Sequence, residues 1–137
     1  MTKFILLAVA AAALAAPAFA GDPAAGETTF KKCKACHSVI GADGTEVQKG
    51  GKTGPNLWGV VGRTVGSHPD FTYGKGLLEA KEKGIVWDEA QIATYLQDPT
   101  AWVKEATGDP QASSKMTFKL TKPEEAADVA AYLATLK

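Results

Sequence analysis

The sequence predicts a small all-α domain of about five short helices held together by long loops. Three observations carry this expectation. Proline and acidic or hydroxyl residues sit where helix starts are expected, apolar residues recur at helical spacing, and strand signals are almost absent. Between the helical stretches, glycine and polar residues keep long segments irregular, and no repeat, low-complexity tract or interdomain linker interrupts them.

The first stretch reads as an export signal. Met1-Thr2-Lys3 gives a short positive start, Phe4 to Ala16 is an uninterrupted apolar run, and Ala18-Phe19-Ala20 offers small residues at both positions of an A-x-A cleavage site. The run falls short of the roughly 20 residues that span a bilayer, so an uncleaved anchor is the alternative. The expectation is a signal peptide over 1–20, cleaved after Ala20, and one exported, periplasmic domain over 21–137. In that compartment two cysteines could also form a disulfide.

Within the domain, Asp22 is a plausible N-cap with Pro23 in the first turn, opening a helix that runs towards Cys33 and places Phe30 and Cys33 on one face. Gly41 to Pro55 reads as loop, and Gly59, Gly62 and Gly66 keep the next segment irregular. Lys75 to Lys83 suits a short helix closed by Gly84. Asp88, with Gln91 as capping-box partner, starts a helix striped by Ile92, Tyr95 and Leu96 and ended by Pro99. Asp98-Pro99 starts another, carrying Trp102. In the last helix Thr121 and Glu124 suggest a capping box around Pro123, and Val129, Tyr132, Leu133 and Leu136 recur at i, i+3, i+4, i+7.

Helices this short bury little surface against one another, and a chain of this size buries barely two thirds of its unfolded surface. A large apolar cofactor at the centre would give the loops something to wrap. Cys33-Lys34-Ala35-Cys36-His37 supplies the attachment signature for one. Two thiols separated by two residues can reach the two vinyl groups on one edge of a haem, and the histidine directly after the second is then placed under the iron as proximal ligand. A Cys33–Cys36 disulfide or thioredoxin-like pair is the competing reading, without the βαβ context a thioredoxin site needs. Half a zinc site is another, without a second ligand pair.

Counting narrows the other axial position. After leader removal the remaining methionine is Met116 and the remaining further histidine is His68. Met116 lies in a loop after Ser113-Ser114-Lys115 and is the expected distal ligand; His68 and an open iron are the alternatives. A thioether ligand favours Fe(II) and raises the reduction potential.

With Cys33 to His37 near the start of the domain and Met116 near its end, the chain resembles the class I c-type cytochromes, nearest the bacterial cytochrome c2 and cytochrome c-550 type. The resemblance covers essentially all of 21–137. Gly26 and Phe30 match the N-terminal helix, and Tyr132 with Leu133 the C-terminal helix that crosses it. Thr53-Gly54-Pro55-Asn56-Leu57 matches the loop whose proline carbonyl accepts a hydrogen bond from the proximal histidine, which implies that Pro55 orients His37. Arg63 matches a propionate-neutralising arginine; Tyr73 and Trp87 fall where propionates are hydrogen-bonded. Tyr95 matches the tyrosine near the methionine sulfur, Ser114 takes the place of a hydroxyl residue there, and Phe118 matches an aromatic shielding the distal face. The segments between His37 and Pro55 and between Pro99 and Met116 are longer than in compact members of the family.

Charge excludes a global pull towards nucleic acid: 15 basic residues balance 15 acidic ones, and loss of Lys3 with the leader leaves a formal charge of −1. Local asymmetry remains. Lys31, Lys32, Lys34, Lys49 and Lys52 crowd the cysteines, and Lys115, Lys119 and Lys122 form a second group. The resemblance implies one covalent haem c with its iron, and a monomeric one-electron carrier rather than an enzyme. Its partners would be quinol–cytochrome c oxidoreductase and an oxidase or photosynthetic reaction centre, met through these lysines. The alternative is a haem peroxidase or ligand sensor with a labile Met116.

Overall fold

Residues 21–137 are described by the structure, a computed structural model; the expected signal peptide over 1–20 lies outside the described residues. The first helix, α1 (Pro23–Thr29), starts as its sequence dictates. Asp22 is extended, its carboxylate accepts the Ala24 N–H at 2.9 Å, and Pro23 occupies the first turn, where no N–H is needed. A single 3₁₀ turn over Phe30–Lys32 then carries the chain to Cys33.

Four further helices are present among the described residues: α2 (Lys75–Glu82), α3 (Glu89–Gln97), α4 (Pro99–Thr107) and α5 (Pro123–Ala134). Asp88 caps α3 by accepting the Gln91 N–H at 2.7 Å, and Asp98 caps α4 by accepting the Ala101 N–H at 3.0 Å. Gly84 and Gly108 stop α2 and α4 in the left-handed region, each at φ 71°.

Three local expectations need correction. Only half of the capping box at Asp88 forms: the Gln91 side chain turns away and accepts the Trp102 indole N–H at 2.8 Å, a bond that joins α3 to α4. The box expected from Thr121 and Glu124 is absent. Lys122 is the N-cap without a side-chain bond, because the residue before Pro123 must be extended and Thr121 therefore lies one position too early. Glu124 and Glu125 act on the helix start through its dipole instead. Finally, the loop after His37 contains a small antiparallel ladder, β1 (Val39–Ile40) with β2 (Glu46–Gln48), pairing Val39 with Gln48 and Ile40 with Glu46. These strands are too short to produce a periodic pattern.

The termini make the principal helix contact, α1 against α5, and α3 packs on the same α5. The α1–α5 crossing is close because Gly26 has no side chain: a Cβ there would lie 1.9 Å from the Asp128 carbonyl oxygen and 2.8 Å from the Tyr132 Cβ. One turn on, Phe30 packs on Tyr132 with ring centroids 5.7 Å apart. Tyr132 also accepts a buried hydrogen bond from the Gln48 side chain at 2.8 Å, which ties the hairpin to the terminal helix. No helix among the described residues is long and apolar enough to cross a membrane.

Gly26→Ala sets two effects against each other. Alanine favours an isolated helix by about 1 kcal/mol, but overpacking against a backbone that cannot move away costs up to about 3 kcal/mol. The expected net result is a loss of about 2 kcal/mol in guanidinium denaturation, with an unchanged midpoint showing that the crossing can open to admit the methyl group.

Candidate functional site

The cysteine segment is coiled on itself. The N–H groups of Cys36 and His37 both donate to the Cys33 carbonyl, at 3.2 and 3.0 Å, so Cys33, Cys36 and His37 all reach one central cavity. Cys33 is buried and Cys36 exposed, and no disulfide joins them. Burial pushes the Cys33 thiol up to about 11, against the opposing pull of Lys32. Both cysteines line the cavity wall.

A glycine-rich strap closes over this segment from outside. Gly51 donates its N–H to the Lys34 carbonyl at 2.9 Å, and Gly54 donates to the Cys36 carbonyl at 2.7 Å. Gly54 lies against the imidazole itself: a Cβ there would be 2.3 Å from the His37 Cε1. The next residue fixes the ring: His37 Nδ1 lies 2.8 Å from the Pro55 carbonyl oxygen. A carbonyl only accepts, so Nδ1 carries the proton and Nε2 keeps a free lone pair. Burial lowers the His37 pKa, with the Pro55 bond acting the other way, which favours neutral imidazole. This is the electronic form a metal-ligating histidine needs.

From the far end of the sequence, the loop after α4 brings Met116 to the same cavity. Its N–H donates to the Ser114 hydroxyl oxygen at 3.1 Å, and that hydroxyl is 2.7 Å from the Tyr95 hydroxyl. Tyr95 thus links α3 to the methionine loop. Trp87, Tyr95 and Trp102 form a mutual aromatic cluster, with Trp87 stacked on Trp102 at 4.8 Å and Tyr95 edge-on to Trp87 and Trp102 at 5.1 and 5.5 Å. Trp87 and Tyr95 face the cavity, while Trp102 braces them from behind.

The polar wall centres on Arg63. Its Nη1 and Nη2 donate to the carbonyls of Trp58 and Asn56 at 3.3 and 3.2 Å. No carboxylate pairs with it among the described residues, so three of its five N–H donors remain for an acidic group in the cavity. Tyr73 lies beside it, its hydroxyl oxygen accepting the His68 N–H at 3.2 Å. His68 itself does not line the cavity. Phe118 does, at the edge, 41% exposed.

All of the cofactor and ligand positions singled out from sequence therefore meet around one cavity of about 360 Å³. Sequence reasoning passed over Val60, Phe71 and Leu77 of the apolar lining, and named Leu57 and Ile92 without placing them at the cavity. Ile92 belonged to a helical stripe, and Phe71 stands two residues before Tyr73, but the loop residues have no periodicity to expose them. Of the lysines, Lys32 from the first group and Lys115 from the second line the cavity; Lys31, Lys34, Lys49, Lys52 and Lys119 do not.

The fit to a haem rests on this donor set: two cysteines and an imidazole lone pair on one wall, a thioether in the same cavity, a half-buried guanidinium without an acid partner among the described residues, and largely apolar walls. The fold and site together define a helical protein built around a covalently attached haem. Comparison with known proteins supports this. The cytochrome c family model matches residues 23–137. The chain is 56% identical over 128 residues to cytochrome c2 of Rhodobacter capsulatus, covering 93% of this chain and 92% of that protein. It is 54% identical over 134 residues to cytochrome c-550 of Paracoccus versutus, covering 95% and 86%. The crystal structure of cytochrome c2 from Rhodobacter sphaeroides superposes with a TM-score of 0.82 at 49% identity, covering 85% of this chain and 96% of that one. The chain belongs to the cytochrome c family, in its bacterial cytochrome c2 branch. It carries one covalently bound haem c and serves electron transport.

Gly54→Ala tests the strap. The added methyl overlaps the His37 ring, so the variant should yield less haem-loaded protein, and its Soret band should shift in the ferric state. A spectrum and yield like those of the parent would show that the strap does not hold the ring.

Proposed function

We propose that this chain is a periplasmic one-electron carrier in which His37 and Met116 ligate the haem iron, exported by a leader over 1–20. The observation that carries the reading is the convergence of Met116, with its Ser114–Tyr95 hydrogen bonds, on the cavity that also receives the neutral His37. When bound, the haem supplies an Fe(III)/Fe(II) couple. The residues do the rest. His37 offers Nε2 while Pro55 holds its Nδ1 proton, and Met116 offers a soft sulfur that favours ferrous iron. With His37 and Met116 both holding the iron, a substrate would find no open position on it. Cys33 and Cys36 would tether the group, Arg63 with Tyr73 and Trp87 would receive the propionates, and the apolar walls exclude water.

Electrons would come from quinol–cytochrome c oxidoreductase and leave to an oxidase or a photosynthetic reaction centre. The similarity to proteins called cytochrome c2 and cytochrome c-550 supports this assignment, as does the location of Lys32 and Lys115 at the cavity with the exposed Phe118 between solvent and interior. Lys31, Lys34, Lys49, Lys52 and Lys119 would extend the positive surface towards acidic partners.

The ferric protein should show the weak near-infrared band of thioether-to-iron charge transfer at neutral pH, and Met116→Ala should abolish it. A native protein without that band would favour the peroxidase or sensor reading. Lys115→Glu should slow bimolecular electron transfer with an acidic partner several-fold at low ionic strength and leave the rate at high salt nearly unchanged.

A further inference from the structure

The lysines nearest the cavity are not all free. Lys32 donates to Glu125 Oε2 at 3.1 Å, and Lys122 approaches the other oxygen of the same carboxylate at 3.9 Å. In the second basic group, Lys119 donates to Asp98 Oδ2 at 3.0 Å, while the other oxygen of Asp98 caps α4. The Ala101 N–H and Lys119 hold the Asp98 carboxyl below the usual carboxylate range. The pairs lie at the surface, with Lys32 52% and Glu125 28% exposed, and surface pairs add little stability. Their consequence lies elsewhere. Lys32 and Lys115 are the two lysines that line the cavity, and Glu125 cancels one of them.

We propose that Glu125, seconded by Asp98, acts as a built-in competitor for the acidic group of a redox partner. Lys32 gives Glu125 one of its three N–H donors, so an incoming carboxylate that meets Lys32 also meets the Glu125 carboxylate 3.1 Å from the same ammonium, which offsets the attraction and repels the partner. The docking surface is thereby kept weaker than its lysine content allows, which shortens each encounter. This rests on the proposed reading of the lysines as a docking surface. Glu125 also favours the start of α5 by its charge, as Glu124 does, so Glu124→Gln controls for that contribution; the amide of Glu125→Gln can still accept from Lys32, and that of Asp98→Asn can still cap α4.

The experiment uses the reduced, haem-loaded protein and two small oxidants of opposite charge, anionic hexacyanoferrate(III) and cationic tris(phenanthroline)cobalt(III), followed by stopped flow. Glu125→Gln should speed oxidation by the anion about two- to fivefold at low ionic strength and slow oxidation by the cation, and the rates should converge with the parent at high salt. Asp98→Asn should act in the same direction. Glu124→Gln removes an equal charge from an exposed neighbour that has no lysine partner among the described residues, and it should have a much smaller effect. The proposal fails if Glu125→Gln leaves the anion rate unchanged, if both oxidants shift together, or if Glu124→Gln matches it. Lys115→Glu in the same assay separates the two ideas: slowing with the anion upholds the lysine surface whatever Glu125 does, and no slowing removes that surface and the competitor with it.

Discussion

The rest of the structure depends on one hydrogen bond, from His37 Nδ1–H to the Pro55 carbonyl at 2.8 Å. It decides which nitrogen of the imidazole faces the cavity. It also decides that the loop from Gly50 to Pro55 must lie flat against the cysteine segment, so the loop carries glycine where any side chain would strike the ring or the backbone. A Cβ at Gly50 would lie 1.8 Å from the His37 carbonyl oxygen, and the one at Gly54 would enter the ring. Once that face is set, the remaining polypeptide has one task. It must travel round the cavity and return with Met116 on a loop whose position is held by Ser114 and Tyr95.

This arrangement explains why short helices suffice. The helices bury modest faces against each other, and their inner residues converge on the cavity: Leu77 from α2, Ile92, Tyr95 and Leu96 from α3, Val129 and Leu133 from α5. The haem is therefore part of the hydrophobic core, and the stability of the fold is linked to keeping it. The covalent attachment, which Cys33 and Cys36 would supply, makes that link permanent.

How much of this was legible in the sequence differs by kind of feature. Helix starts set by a single side chain or by proline could be read, as at Asp22-Pro23, Asp88 and Asp98-Pro99, because the controlling interaction spans two or three residues. The reciprocal half of a capping box could not, since Gln91 had a better partner in Trp102, eleven residues on and in another helix. The same holds for Lys122, where the restriction imposed by Pro123 overrode a motif that looked complete. At the site, local spacing singled out Cys33, Cys36 and His37 and counting singled out Met116, and all four line one cavity. The roles ascribed to Arg63, Tyr73, Trp87 and Pro55 came only through resemblance, because the contacts that bring them together join loops with no period. The pairing of Lys32 with Glu125 was invisible for a further reason: 93 residues separate them, and only the α1–α5 crossing makes them neighbours.

The buried bond from Gln48 to Tyr132 gives the longer loop after His37 a different standing from an ordinary surface excursion. Gln48 spends its amide on the aromatic residue that also meets Phe30 at the helix crossing. The hairpin therefore cannot lift away without leaving a polar group stranded beside the α1–α5 crossing. Amide protons of the hairpin would share the slow exchange of the terminal helices, and the inserted segment, α1 and α5 would open as one cooperative unit.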